Sequence, residues 1–515
     1  MSRLQCFLSG VVIGVLAVAV PAGAVTFTVN STDDAVDANP GDGSCATAQG
    51  VCTLRAAIQE ANALAGADTI ILPAGVYTLQ IGGPREDDGA TGDLDIRDHL
   101  TIVGADARLT IIDGNQLDRV LHVVNASVVH ISDVTIQNGR SDGPAANASG
   151  GGILNMGTLT LTRVTVRANS TAGFGGGGIA NGRELTLNGV TVSDNFSAGI
   201  AGGILNGLNV FDTGTLTATN TTISGNAAND DTGGIQNHIF SVANLNNVTI
   251  TNNMSDADNE SGGAVGGILN FPGDFGGTVN LRNTIIAGNK LGISALPFFP
   301  FPDCFGTLTS QGHNLIHDVS GCEIVGDTTG NVTGLDANLD VLKDNGGPTL
   351  THALLPGSPA IDAGDNATCD AKDQRGLGRP FDGDGNGTAI CDIGAFELVR
   401  FLRVSIDIKP GSHPNSINLG SAGVVPVAIL GSATFDATQV NPATVRLAGA
   451  SVKLIGHGDK YSCSTEDVNG DGFVDLVCHV VTAQFIEPGD SLAVLEAQTF
   501  DGQAIRGEDF IRIVP

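Results

Sequence analysis

Tryptophan is absent from the 515 residues, tyrosine occurs twice, and only 15% of the side chains are charged. Flat rings that stack on the apolar faces of sugars are therefore scarce, which argues against a deep sugar-gripping groove. Basic residues are few as well: 24 Lys and Arg stand against 54 Asp and Glu, a formal charge of -30. Such a chain has little with which to displace counterions along a phosphate backbone, so nucleic acid is not an expected partner. The low charge, set beside 41% hydrophobic residues, also excludes disorder, which combines high charge with few apolar side chains. The 72 glycines follow no strict every-third-residue period, which excludes collagen.

Long hydrophobic runs are missing too, apart from Phe7 to Val20 at the start. That run follows Arg3 and precedes Pro21-Ala-Gly-Ala24, the pattern of an export signal over residues 1–24. It is shorter than the roughly 20 residues that cross a bilayer, and no transmembrane segment is expected after signal removal. Cys6 precedes the apolar run, so a lipid-anchored mature N-terminus is not expected. Eight cysteines then remain in four local couples, Cys45 and Cys52, Cys304 and Cys322, Cys369 and Cys391, Cys463 and Cys478. In an exported chain these are expected to pair sequentially as disulfides. The expected location is secreted, extracellular or at the cell surface.

What the sequence has in abundance is repetition. From about Leu100 to Leu291 a unit recurs: Gly-Gly-Ile-x-Asn, a turn, Leu-Thr-Leu, then Val-Thr-Val/Ile-x-x-Asn. The first Asn falls at 155, 181, 206, 237 and 270, in steps of 26, 25, 31 and 33. The second falls at 169, 195, 226, 253 and 289. Alternation within each piece has the period of two that marks strands. A unit near this length fits one rung of a parallel β-helix, with Val, Ile and Leu stacked inward and Asn at one phase forming a hydrogen-bonded ladder. The Gly pairs are expected at tight corners with φ > 0. A β-propeller is the rival, but its blades are longer and carry aromatic signatures missing here. The sequons at Asn169 and Asn195 lie at the ladder phase and are taken as structural asparagines.

A solenoid needs its ends sealed. Thr53 can cap an amphipathic helix with Leu54, Ile58 and Ala61 on one face, a lid over the first rung. The segment Cys52-Thr-Leu-Arg-Ala-Ala-Ile-Gln-Glu-Ala-Asn62, followed by Gly66-Ala-Asp-Thr-Ile-Ile-Leu-Pro-Ala-Gly-Val-Tyr-Thr-Leu79, resembles the CSLREA domain that opens many exported bacterial right-handed β-helix proteins of pectin lyase-like fold. Thr53 and Ala56 replace its Ser and Glu. Downstream, Asn345-Gly-Gly-Pro-Thr-Leu-Thr-His-Ala-Leu-Leu-Pro-Gly-Ser-Pro-Ala-Ile-Asp-Ala-Gly364 and Cys391-Asp-Ile-Gly-Ala-Phe-Glu397 resemble the choice-of-anchor Q region of the same class. The expected organisation is all-β: cap and first rungs at 25–97, β-helix repeats at 98–325, the choice-of-anchor Q-like end region at 326–400, and a C-terminal β-sandwich at 401–515.

The sandwich contains Asp467-Val-Asn469-Gly-Asp471-Gly-Phe473-Val-Asp475. Oxygen ligands from Asp467, Asn469, Asp471 and Asp475, the Phe473 carbonyl and Gly472 at the sharp turn are what a hard Ca²⁺ ion requires. The segment resembles dockerin and FG-GAP loops, but Cys478 stands where an EF-hand places its bidentate Glu. Its calcium is expected to be structural, the alternative being a hairpin turn pinned by Cys463 and Cys478. A second stretch, Asp382-Gly-Asp384-Gly-Asn386-Gly387, lacks a ninth-position carboxylate because that residue is Ile390, and ranks as a turn first.

Catalysis on a β-helix needs acids converging from successive rungs. The position before each ladder Asn holds Asn138, Ala168, Asp194, Gly225, Asn252 and Gly288. That before each Val-Thr-Val holds Asp133, Arg163, Gly189, Asn220, Asn247 and Asn283. Neither is a row of acids. The remaining candidates are two acidic corner loops, Asp230-Asp231 and Asp256-Ala-Asp258-Asn-Glu260, with Arg282 the nearest base in sequence. Gly456-His457-Gly458 and Gly312-His313-Asn314 carry histidines expected to be structural, and Phe298-Phe-Pro-Phe301 is the one aromatic cluster. The first expectation is thus a non-enzymatic protein of surface contact or adhesion, its partners extracellular polysaccharide or cell-surface components. The alternative is a polysaccharide lyase or glycoside hydrolase acting on acidic polysaccharide.

Overall fold

Period-two strands that share a register stack into the expected solenoid. The computed structural model describes residues 23–514 apart from 84–85, 143–148, 261–262, 274–275, 293–300, 421–422, 457–459, 486–490 and 501. Most of the expected signal, most of the Phe298–Phe301 cluster and the Gly456–Gly458 histidine lie outside the described residues. The chain divides into two compact units, 1–398 and 399–515.

Unit one is a parallel β-helix. One rung runs Ile153–Asn155, Thr158–Thr162, Thr165–Arg167 and Ser170–Thr171. Each piece pairs in parallel with its counterpart in the next rung, Ile153 with Ile179, Leu159 with Leu185, Val166 with Val192 and Ser170 with Phe196. Inward columns such as Ile70, Ile102, Ile131, Leu161, Leu187 and Leu245 are buried. Removing each such side chain from water contributes about 1.5–3 kcal/mol, and only stacking makes it available.

Both Asn phases form ladders, not one. Nδ2 of Asn155 donates to Oδ1 of Asn181 at 2.8 Å, and the chain of bonds continues through Asn206 and Asn237 to Asn270. The second links Asn169, Asn195, Asn226, Asn253 and Asn289 at 2.8–3.0 Å, and ends on the carboxylate of Asp303. The amides of Asn169 and Asn195 are thereby buried and engaged, in keeping with a structural role for both sequons.

The two outward phases have a backbone explanation. Asp133, Arg163, Gly189, Asn220, Asn247 and Asn283 all have φ between 47° and 66°, and Asn138, Ala168, Asp194, Gly225, Asn252 and Gly288 between 52° and 72°. These are left-handed corners, which Asn, Asp and Gly tolerate best. The Gly pairs serve another purpose than the one expected. Gly177 is not in that conformation; a Cβ on it would stand 2.3 Å from the Phe196 carbonyl and 2.5 Å from that of Gly202, so the pair admits the close approach of the next rung.

The helix α1 (Leu54–Ala63) starts where Thr53 accepts a bond from the Ala56 amide. Leu54, Ile58 and Ala61 join the core as expected, but the polar face is buried as well. Arg55 pairs with Asp34 at 2.6 Å and donates to the carbonyls of Gly89, Gly92 and Asp93. Gln59 accepts from the Asp37 amide, and Glu60 from those of Gly41 and Gly43. The lid is thus fastened by loops on its outer side.

The rungs continue past residue 325, because Cys322–Asp327 and Val332–Thr333 still pair in parallel with the preceding rung, and residues 334–398 then run along the flank of the solenoid as a strap. Gln374 bonds Thr191 and Thr222, Arg379 bonds Asn220, His352 lies 2.8 Å from the Ser224 hydroxyl, and Asn247 donates to the Gly394 carbonyl. A second small core of Ile285, Leu315, Leu354, Ile393 and Phe396 lies beneath it. His313 Nδ1 donates to the Ala363 carbonyl at 2.8 Å, a structural contact.

Unit two is a sandwich of two main sheets. Ile406–Ile408, Val424–Ile429, Asp475–Val481 and Cys463–Glu466 form one; Ala504–Val514, Ser491–Gln498, Arg446–Leu447 and their neighbours form the other. Its core joins Val427, Ile429 and Cys478 to Leu447, Leu495 and Ile505. The four disulfides pair sequentially, as expected.

Candidate metal centre and acidic clusters

The corner loops sit side by side, since Ala227 pairs with Met254 and the Ala264 and Val265 amides donate to the Asp231 carbonyl. Their carboxylates do not converge. Asp256 is buried, Asp230, Asp258 and Glu260 are exposed, and Asp258 accepts from the amide of Glu260. Burial raises the Asp231 carboxyl, which accepts a 3.4 Å bond from Gln236. Arg282 belongs to a different sheet, opposite Asn246. Among the described residues, no group of three acidic or histidine ligands within 4.8 Å includes any of these acids.

The loop at 467–475 closes a hairpin in which Cys463 pairs with Cys478 and Glu466 with Asp475. Asp467 accepts from the amides of Gly470, Asp471 and Gly472, and Asn469 and Asp471 accept from those two residues further on. This wraps the chain around the side chains of positions 1, 3 and 5. Asp475 is buried, and its two oxygens accept from Gly431 and Val468. Asp467, Asp471 and Asp475 do not form a group within 4.8 Å of one another.

The loop ranked second is better assembled. Asp382 accepts from Gly385, Asn386 and Gly387, repeating the wrap. A carboxylate arrives from outside the loop: Asp362 accepts from the Gly383 and Asp384 amides, and ligand atoms of Asp362, Asp382 and Asp384 lie within 4.8 Å of one another. Asp362 precedes the loop and belongs to no spacing pattern, so a scan of loop positions misses it. Oxygen donors alone, wrapped about one point, suit a hard cation.

A third cluster carried no motif. One sheet's outer column runs Asp95, His122, Leu154, Ala180, Leu205, Gln236, Leu269 and Phe305. At its head His122 Nδ1 lies 2.9 Å from Asp95 Oδ1 and 3.7 Å from Asp87 Oδ1. Nearby, Asp93 pairs with Arg119 at 3.0 Å. Burial pushes the Asp93 carboxyl up to about 8, Arg119 opposing this and Asp95 and Asp118 adding to it. Burial also raises Asp95 and Asp118.

No helix among the described residues is long and apolar enough to cross a membrane. Comparison of the chain with family models, with curated proteins and with solved structures gave no match.

Proposed function

We propose that the chain is an exported, non-enzymatic β-helix protein of the class that opens with a CSLREA domain and carries a choice-of-anchor Q region, working by surface contact or adhesion in the extracellular space. One observation carries the reading. The outward middle column of the longest strands holds Thr26, Thr69, Thr101, His130, Thr160, Thr186, Thr217, Asn244, Asn280 and Thr309 in register. In a chain of charge -30, this column contains no carboxylate. Hydroxyls and amides, with the one imidazole of His130, repeat about every 4.8 Å and offer a carboxylate-free column to the hydroxyls of an extracellular polysaccharide, without a stacking groove. The corners where catalytic acids would line up are left-handed turns, and several of them, Asn220 and Asn247 among them, are bound to the strap.

Calcium is structural in this proposal. Asp382, Asp384, Asn386 and Asp362 hold one ion, and Asp467, Asn469, Asp471, the Phe473 carbonyl and Asp475 another. Four disulfides fit an oxidising compartment.

The test is co-sedimentation with a panel of insoluble and acidic polysaccharides in Ca²⁺, with sugar release followed in parallel. Binding without unsaturated or reducing ends, weakened by Thr186→Glu with Thr217→Glu, is the expected result. Sugar release that disappears in Asp231→Ala or Asp258→Ala would overturn the reading in favour of a lyase or hydrolase.

A further inference from the structure

The head of the outer column differs chemically from the two oxygen-lined loops, because an imidazole nitrogen faces the carboxylates. Asp95 and His122 are direct register partners on the parallel strands Leu94–Ile96 and Leu121–Val123. Their positions are fixed by rung stacking, not by a flexible loop. The Gly89 amide donates to Asp95 Oδ2 at 3.0 Å, which leaves Oδ1 directed at His122 Nδ1. Asp87 comes from the neighbouring loop, and ligand atoms of all three residues lie within 4.8 Å of one another.

The spacing can be set against metal geometry. Ligands about 2.1 Å from an ion, at angles between octahedral and tetrahedral, stand about 3.0–3.4 Å apart. The two N···O separations, 2.9 and 3.7 Å, bracket that range. A small inward movement of the exposed Asp87 would close the site. Charge favours the same conclusion: Asp93, Asp95 and Asp118 are all buried here, Arg119 pairs with Asp93, Arg97 with Asp88, and Arg55 is spent on Asp34 and on carbonyls that include that of Asp93, so the carboxylates outnumber the guanidiniums. Buried carboxylates are held by partners or by cations. His122 itself is partly exposed, so the site opens to solvent.

We propose that Asp87, Asp95 and His122 bind one divalent transition-metal ion through Nδ1 and two carboxylate oxygens, with the remaining coordination positions open to solvent. One nitrogen and two oxygens select Zn²⁺, Co²⁺ or Mn²⁺, whereas Ca²⁺ takes six to eight oxygens. The site is separate from both calcium loops, and does not depend on the adhesion reading.

The test titrates Co²⁺ into the full chain after removal of bound metal with EDTA. Saturable binding of one equivalent with a visible absorption band, displaced by Zn²⁺, is expected. Asp87→Asn, at a loop residue whose side chain is 77% exposed, should fold as the parent does in EDTA. It and His122→Gln should each weaken Co²⁺ by about tenfold or more. Asp384→Ala and Asp471→Ala should titrate as the parent does. Absence of saturable Co²⁺ binding, or binding unchanged in both Asp87→Asn and His122→Gln, would overturn the proposal.

Discussion

Arg379 Nη1 stands 2.9 Å from Oδ1 of Asn220, a residue 159 positions earlier in the chain. The same guanidinium donates through Nε to Glu397 at 3.0 Å, and both charged side chains are essentially buried. One residue thus ties strap to strap and strap to rung. Arg379→Met leaves the Glu397 carboxylate buried without its counterion, a defect that costs about 3–5 kcal/mol. Asn220→Gly keeps the left-handed corner and removes only hydrogen bonds, at about 1–2 kcal/mol. Guanidinium unfolding of the full chain measures both, and the expected order is Arg379→Met well below Asn220→Gly.

The same carboxyl sets a pH dependence. Burial raises Glu397 from 4.5 to about 7 against the pull of Arg379, with Asp373 adding to the rise. Asp392, facing it, is also raised by burial and by Glu397. A group whose folded pKa lies above its unfolded one stabilises the fold fully below the unfolded value, and loses that contribution as pH climbs through the folded value. The melting temperature of unit one is therefore expected to fall between pH about 4.5 and 7. Glu397→Gln should flatten that slope; an unchanged slope would place the effect elsewhere, as at Asp93.

Local features were legible in the sequence and distant ones were not. Rung phase, strand alternation, the Thr53 cap and sequential cysteine pairing all rest on neighbours within a few dozen residues. The strap's docking pairs Gln374 with Thr191 and Arg379 with Asn220, contacts that no period announces. Asp362 escaped notice because it joins the Asp382 loop from outside. Asp95 and His122 escaped because they are neighbours only after one rung is stacked on the next. The rows of Asn, Asp and Gly were visible, but their cause is backbone conformation at the corners and not side-chain chemistry.

The ladders make a third prediction. Asn226 accepts at Oδ1 from both the backbone and the side chain of Asn195, and its Nδ2 donates to the Val192 carbonyl and Asn253. Asn226→Ala strands those buried groups together, at a cost of about 2–3 kcal/mol. Asn252→Ala, one residue from a ladder position and exposed, loses chiefly its fit to a left-handed corner and should cost about 1 kcal/mol. Hydrogen exchange should show faster opening of the Asn195 backbone amide, which loses its acceptor, only in the first variant.

Calcium gives the last prediction, and the two loops should respond differently. Asp362, Asp382 and Asp384 are already gathered within 4.8 Å while keeping their amide bonds, whereas Asp467, Asp471 and Asp475 have still to be drawn together. The 382–387 loop is thus expected to bind more tightly. Ca²⁺ at a hundred times its dissociation constant stabilises the state that binds it by about 2.7 kcal/mol, so unit one should gain in melting temperature at lower Ca²⁺ than unit two. Asp362→Asn should move only the first response, and Asp471→Ala only the second. Reduction of Cys463–Cys478, which closes a segment of sequence separation 15 around the second loop, should cost about 3 kcal/mol in the absence of Ca²⁺. Calorimetry at stepped Ca²⁺ separates these effects; a response insensitive to both Asp362→Asn and Asp471→Ala would remove calcium from both loops.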